Sequence, residues 1–463
     1  MNPNSFSSLS LNTDLLKNLE SLGYEQMTPI QAQSLPPILA GKDVIGQAKT
    51  GTGKTAAFGL GLLQQLDLRT SRVQALVLCP TRELADQVGK ELRKLARTTA
   101  NVKVLTLCGG MAFRPQISSL SHGAHIVVGT PGRLLDHLKR GTLKIDRLRT
   151  LVLDEADRML DMGFQKEMDA IITATPKPHQ TLLFSATFPN QVKKMGTRVM
   201  RNPMMVQVAT IHDDTVIEQH FYNVTEKARL DALHLLLLQY QVESTVIFCN
   251  TKRDTQDIAQ ALNRQGFSAQ ALNGDLEQRQ RDQTLLLFAN KSISILVATD
   301  VAARGLDIES LDSVIVYQLS NNPEVHVHRI GRTGRAGSKG VACSLFTEKD
   351  ELRLTMIADY LGLTITHESL PSTDLLNKTI PKAAMTTLQI GGGKKQKIRP
   401  GDILGALTGE NGIAGTQVGK INVSDNWSYV AVNRDVVKTA IKKLEKGKLK
   451  GLSFRIRLLE MGV

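Results

Sequence analysis

Cysteine is scarce in this chain. There are four in 463 residues, Cys79, Cys108, Cys249 and Cys343, each on or beside an apolar run and none in a Cys-x-x-Cys pair. That scatter excludes a disulfide framework and a cysteine-held metal, and suits core thiols of a reducing compartment. Long apolar runs are also missing. No segment approaches the roughly twenty apolar residues that span a bilayer, and the start, Met1-Asn-Pro-Asn-Ser-Phe6, has neither the basic stretch nor the apolar stretch of an export signal. A cytoplasmic protein with no membrane partner is expected. Acidic residues are outnumbered, 44 against 57 Lys and Arg, for a net charge of +13. The excess is uneven: from Thr386 to Val463, ten Lys and four Arg face six acids, so +8 of it lies in the last 78 residues. Such a segment suits a polyanion.

What is present is phosphate chemistry. Ala48-Lys49-Thr50-Gly51-Thr52-Gly53-Lys54-Thr55 follows the apolar run Asp43-Val-Ile45 and precedes a helical pattern. A Gly-rich turn ending in Lys-Thr wraps phosphates in backbone N–H groups, sets the Lys54 ammonium on the outer ones and offers the Thr55 hydroxyl to magnesium. The bland alternative is a glycine turn, and Ala48 stands where the simple pattern has its first Gly. About a hundred residues on, Leu151-Val-Leu-Asp-Glu-Ala-Asp157 runs from a strand into carboxylates. Asp154 would complete the metal site, partly through water, and Glu155 would orient or deprotonate the attacking water. An Asp-Glu pair at a helix N-terminus has its own bland reading, since carboxylates there favour the dipole. Both motifs together, each in a strand-loop-helix context, point to hydrolysis of a nucleoside triphosphate. No Asn-Lys-x-Asp guanine reader is present, which disfavours GTP.

With its Asp154-Glu-Ala-Asp157 tetrad, the chain resembles the DEAD-box RNA helicases through nearly every motif up to about residue 350. The resemblance implies ATP and Mg2+ as cofactors and RNA, not DNA, as the partner. Gly23-Tyr-Glu-Gln-Met-Thr-Pro-Ile-Gln31 is similar to the adenine-reading segment, in which the Gln31 amide meets the adenine edge, and Phe6 fits the adenine-stacking position or is a packing contact. Pro80-Thr-Arg82, Gly109-Gly110 and Thr130-Pro-Gly-Arg133 match backbone contacts to RNA, through Arg82, Gly110, Thr130 and Arg133. Such donors position a strand without reading its sequence. Ser185-Ala-Thr187 implies coupling of nucleotide to strand separation through Asp157.

Further on, Thr245-Val-Ile-Phe-Cys-Asn250 and Ile293-Ser-Ile-Leu-Val-Ala-Thr-Asp300 are buried strands separated by helical patterns, without a second phosphate loop. Continuous apolar runs of this kind belong to parallel sheets covered on both faces. The resemblance implies that Arg281 and Thr299 contact the RNA backbone, although Arg281 alone also reads as a solvated helix charge, and that Asp307 takes the ribose. Arg332 and Arg335 of His328-Arg-Ile-Gly-Arg-Thr-Gly-Arg335 resemble arginine fingers, planar cations for a charged phosphoryl group, which would make hydrolysis depend on domain closure. His326 stands where many relatives have Tyr.

The tail reads β-α-β-β-α-β: Thr387-Leu-Gln-Ile390, Pro400 to Leu407, Gly419 to Val423, Trp427 to Val432, Arg434 to Lys446 and Leu452 to Leu459. That is the order of an RRM-type domain, but the third strand lacks the full aromatic pattern. Trp427 and Tyr429 share a face that either packs the core or stacks bases. Lys394, Lys395, Lys397 and Arg399 crowd a Gly-rich loop, and Lys448, Lys450, Arg455 and Arg457 flank the last strand, a rim for RNA phosphates. Along its whole length the chain resembles the bacterial DbpA subfamily. The resemblance implies two tandem RecA-like parallel-sheet domains, 1–210 and 211–372, then a small α+β RRM-like domain, 377–463. It also implies a 23S rRNA target, hairpin 92, in assembly of the large ribosomal subunit. A monomer is expected. Short polar linkers are expected around residues 209–215 and 370–373. Two other outputs of the ATP site stay open: clamping or annealing of RNA, and a nucleotide-binding scaffold without hydrolysis, against which Glu155, Arg332 and Arg335 argue.

Overall fold

The computed structural model describes residues 4–48, 51–208, 217–241, 243–303, 311–334, 339–447 and 449–459. The chain forms two compact units: residues 1–212 with 305–307, and residues 213–304 with 308–463. Among the described residues no helix is long and apolar enough to cross a membrane.

In the first unit seven strands form one sheet: β1 (Val44–Gln47), β2 (Ala75–Leu78), β3 (Val104–Leu107), β4 (Ile126–Gly129), β5 (Thr150–Asp154), β6 (Gln180–Ser185) and β7 (Met204–Gln207). Their spatial order is β3-β4-β2-β5-β6-β1-β7 and every pairing is parallel. Helices cover both faces, so alternate residues of a strand enter different cores. Val77, Val152, Leu182 and Phe184 pack with Phe58 and Leu92 on one side, while Leu76, Leu151, Leu153 and Leu183 pack with Met159 and Ile171 on the other. Two-sided burial is why these strands read as unbroken apolar runs. Register pairs Ala75 with Ile126 and Thr150, and Thr150 with Gln180, so the amino ends of the strands lie along one edge and the carboxyl ends along the opposite one.

The second unit repeats the plan with β8 (Ile217–Asn223), β9 (Thr245–Cys249), β10 (Ala269–Leu272), β11 (Ile295–Thr299), β12 (Ser313–Val316), β13 (Gly340–Phe346) and β14 (His367–Glu368), all parallel in the order β10-β11-β9-β12-β13-β8-β14. It also holds a four-stranded antiparallel sheet, β15 (Met385–Ile390), β16 (Val418–Val423), β17 (Ser428–Asn433) and β18 (Ile456–Leu458), in the order β16-β17-β15-β18. Helices Pro400–Thr408 and Val437–Lys446 close one face over Leu388, Ile390, Val430 and Val432.

Three expectations for the tail need correction. Its last strand covers only Ile456–Leu458, because residues 449–455 are spent on a turn and on chain running past Gly391. Its second helix starts at Val437, after a 3-10 turn over Arg434–Val436. The linker expected at 370–373 is exposed only at Ser372 and Thr373, because Leu370 lies against the second core. The linker expected at 209–215 lies outside the described residues.

The outer face of the small sheet is also partly covered. Thr387 is fully buried, its Oγ1 accepting from Asn290 Nδ2 at 3.1 Å and lying 2.7 Å from Ser292 Oγ. Met385 N–H donates to Lys291 O at 3.2 Å. All four cysteines are buried as thiols. Burial pushes Cys108 and Cys343 up to about 12, and raises Cys79 and Cys249 as well.

Candidate nucleotide and nucleic-acid site

The site-bearing segments of the first unit leave the carboxyl ends of its strands, where loops meet helix N-termini. After β1, Ala48 N–H donates to Ser185 O at 3.1 Å, which ties the phosphate loop to the end of β6. Gly51 and Gly53 have φ of 86° and 93°, a region that favours glycine. At Gly53 a Cβ would also lie 2.3 Å from Gln31 Nε2. Helix Lys54–Gln64 begins there, with Lys54 buried and its Nζ donating to Ala48 O at 2.7 Å, and with Thr55 in the first turn. Lys49 and Thr50 lie outside the described residues.

Gln31 is buried and braces this loop. Its Oε1 accepts from Thr28 N–H at 2.9 Å and its Nε2 donates to Gly53 O at 3.1 Å, while Thr28 Oγ1 donates to Thr52 O at 2.8 Å. Thr28, quoted within the Gly23–Gln31 segment, was given no role of its own, although Thr-Pro-x-Gln is the pattern of a capped helix. Phe6 is only 3 % exposed and meets Tyr24 edge-on, ring centroids 6.1 Å apart. Of its two readings, packing is the one with a contact among the described residues.

At the end of β5 the carboxylates separate by environment. Asp154 is buried, and burial pushes its carboxyl well above the usual range; the Lys54 ammonium opposes the shift and Glu155 adds to it. Its Oδ1 has no hydrogen-bond partner, so this atom, with Lys54 and Thr55 nearby in the fold, fits a cation ligand. Among the described residues no group of three or more His, Cys, Asp and Glu forms a metal cage. Glu155 adopts φ 53°, ψ 52°, a left-handed backbone unusual for glutamate, and its Oε2 accepts from Arg158 Nη1 at 2.5 Å with both side chains 3 % exposed. Arg158 was missed in the sequence; the signal was its i,i+3 spacing from Glu155.

Asp157, Ser185 and Thr187 come together. Thr187 donates to Asp157 Oδ2 twice, from N at 3.0 Å and from Oγ1 at 2.8 Å, and Asp157 N–H donates to Ser185 Oγ at 3.4 Å. The remaining first-unit residues gather around the turn after β3. Gly110 has φ 67°, and a Cβ there would lie 2.0 Å from Arg82 Nη1, so the guanidinium lies over the glycine. Gly109 N–H donates to Thr130 Oγ1 at 3.4 Å, and Arg133 Nη1 donates to Met111 O at 3.0 Å and Gln116 Oε1 at 2.9 Å.

In the second unit Arg281 lies on helix Gln278–Ala289, Thr299 ends β11 and is buried, and Arg332 is buried just beyond helix Pro323–Ile330. Asp307 and Arg335 lie outside the described residues. Between these positions stands Arg329, to which the sequence reading gave no role. It pairs bidentately with Asp300 (Nε–Oδ1 2.7 Å, Nη2–Oδ2 2.8 Å) and also reaches Asn250 Oδ1 at 2.8 Å and Gln318 O at 2.5 Å. His326 is fully buried with no partner for either ring nitrogen, and burial next to Arg329 pushes its pKa down to about 3.

In the small domain the glycine-rich loop is clamped. Lys394 N–H donates to Ser424 O at 2.8 Å, Lys395 N–H to Asp425 O at 3.0 Å and Ser428 Oγ to Gly392 O at 2.7 Å. Lys394, Lys395, Lys397 and Arg399 are exposed and form no ion pair with a described residue. Trp427 and Tyr429 point away from the core that holds Val430 and Val432. Trp427 is 46 % exposed, whereas Tyr429 is half-buried within electrostatic range of Arg279 and Asp282. Lys448 lies outside the described residues.

Residues 28–195 match the DEAD/DEAH box helicase family, residues 228–337 the helicase conserved C-terminal domain, and residues 387–458 the DbpA RNA binding domain. Over 445 residues, 96 % of this chain and 97 % of the relative, the sequence is 54 % identical to the ATP-dependent RNA helicase DbpA of Escherichia coli K12. It is 47 % identical over 354 residues to the DEAD-box ATP-dependent RNA helicase CshA of Bacillus cereus, covering 76 % of this chain and 67 % of the relative. Among solved structures, S. cerevisiae Dbp5 bound to RNA and ADP BeF3 superposes with a TM-score of 0.73 at 30 % identity, over 80 % of this chain and 97 % of that one.

Proposed function

The chain belongs to the DEAD-box ATP-dependent RNA helicases and carries a DbpA RNA-binding domain, and from that premise we propose that it opens short RNA duplexes by local deformation, directed by its C-terminal domain to hairpin 92 of 23S rRNA in the large-subunit precursor. It would do so as a cytoplasmic monomer. The observation that carries the motor half is the grouping of Lys54 after β1 with Asp154 and Glu155 at the end of β5, on either side of β6, with Asp157 holding Thr187 at 2.8 Å. The address half is supported by the exposed, unpaired cations at 394–399.

Lys54 releases its bond to Ala48 O and turns its ammonium to the outer phosphates of ATP. Thr55 and Asp154 would hold Mg2+, which when bound neutralises phosphate charge. Glu155, fixed by Arg158, orients the attacking water and takes its proton. Arg332 and Arg335 supply planar cations for the charge that develops on the phosphoryl group. RNA engages Arg82, Gly110, Thr130, Arg133, Arg281 and Thr299 through its backbone, so the core is indifferent to sequence.

The test is ATP turnover and release of a short labelled duplex, each with no RNA, with an unrelated RNA and with a hairpin 92 fragment. Strongest stimulation and duplex release with the hairpin are expected. Turnover without duplex release would make the output clamping or annealing, and equal stimulation by both RNAs would remove the proposed address.

A further inference from the structure

A charge asymmetry outside these sites lies at the opposite edge of the first sheet. The seven segments that lead into β1–β7 (40–43, 65–74, 96–103, 122–125, 140–149, 175–179 and 200–203) carry eleven Lys and Arg against three Asp. The segments leaving the carboxyl ends of β1–β6 carry one Lys and one Glu. A net charge of +8 therefore gathers along an edge that no DEAD-box motif described above reaches.

Two concavities open there. One, of about 550 Å3 at the ends of β5, β6, β1 and β7, is lined by Lys42, Arg149, His179, Gln180, Arg201 and Met204. The other, of about 510 Å3 at the ends of β2 and β4, is lined by Arg72, His122, Gly123, Thr142 and Lys144. The acid in the first concavity is withdrawn. Asp43 is buried, and its two oxygens accept from Thr181 N–H at 2.8 Å and Arg201 N–H at 2.6 Å. Gln180 Nε2 is likewise spent on Ile38 O at 2.9 Å and Lys42 O at 2.7 Å, which fixes the floor. His179 Nδ1 donates to Pro176 O at 2.8 Å, while its buried Nε2 has no partner among the described residues. Lys42, Lys144, Arg147, Lys177 and Arg201 pair with no acid among the described residues. Unneutralised cations over a floor held by backbone hydrogen bonds suit a repeating anion better than a single small one. The six interstrand steps of the sheet make the row about 29 Å long, at about 4.8 Å each.

The geometry points to a second RNA-backbone surface on the amino-end edge of the first sheet, one that holds duplex or flanking RNA while the carboxyl-end residues hold the strand being worked on. The ligand is a run of phosphodiesters, met without base reading.

The test uses the full chain carrying Lys42→Glu, Arg149→Glu and Arg201→Glu together, with Lys42→Gln, Arg149→Gln and Arg201→Gln as a gentler second version. Turnover stimulated by a single-stranded oligonucleotide of about ten residues, and the KM for ATP, should be unchanged. Binding to a long RNA with duplex flanks should weaken about tenfold at moderate salt, and the slope of log affinity against log salt should fall by about 2 to 3. Unchanged affinity and slope for the long RNA in both variants would overturn the inference. So would an equal loss on the short oligonucleotide, which would place these cations on the known strand path. Vesicles containing phosphatidylserine form a control arm, and loss of vesicle binding with RNA binding intact would reassign the surface to membranes. The helicase reading itself survives each of these outcomes, because it is read from the RNA-stimulated turnover of the unsubstituted chain.

Discussion

Glu155 holds a left-handed backbone at φ 53° and a bond to the buried Arg158, two costs that a merely solvated carboxylate would not bear. Glu155→Gln keeps the shape and the Arg158 contact while removing the base. ATP should still bind, with RNA-stimulated turnover falling at least about a hundredfold in a steady-state assay. Lys54→Ala should instead lose ATP affinity as well as turnover, seen by nucleotide titration. Arg158 is needed for a different reason. Its removal takes the guanidinium from the buried Glu155, so Arg158→Ala should destabilise the first unit by about 3–5 kcal/mol in chemical denaturation. His326 gives a pH signature. Its folded pKa of about 3 lies below its ordinary 6.5, so the unfolded chain binds the extra proton and stability drops as pH falls below about 6.5. Between pH 7.5 and 5.5 this residue should cost about 1.4 kcal/mol. His326→Phe should show that much less loss than the parent chain over the same interval, measured by urea unfolding at both pH values.

Strands and helices differ in how far the sequence announces them. Runs such as Leu151-Val-Leu153 and Thr245-Val-Ile-Phe248 were legible because both of their faces are buried, and the phosphate loop was legible because glycines at φ 86° and 93° must be glycines. The face of the small sheet was not legible. Whether Trp427 and Tyr429 meet core, base or protein depends on which strand parity Val430 and Val432 take, and on Asn290 and Ser292, some ninety-five residues upstream of Thr387. Arg329 was obscured in the same way, since its partner Asp300 is contributed by a different strand end. The clamped loop Gly391 to Arg399 supports its own prediction. With its backbone tied to Ser424 and Asp425, Lys395→Glu with Arg399→Glu should leave folding intact. RNA affinity of the whole chain should fall at moderate salt and the salt slope by about 2, in filter binding across a salt series.

For the whole molecule, the position of the last boundary matters. Ile380 packs on the second core and Arg434 Nε donates to Ala383 O at 2.9 Å, so a truncation meant to remove only the RNA-binding domain should end after Lys382 rather than at residue 377. Such a chain should fold and keep ATP binding, while losing any preference for the rRNA hairpin over unrelated RNA of equal length. A retained preference would move specificity into the core. The four cysteines carry a different, practical consequence. Because Cys79, Cys108, Cys249 and Cys343 are all buried and burial raises their thiols, the natural sequence should react slowly with maleimides. One cysteine introduced on the surface of each unit would be labelled selectively, so fluorophore pairs that follow opening and closing through the ATP cycle can be attached without first replacing any native residue.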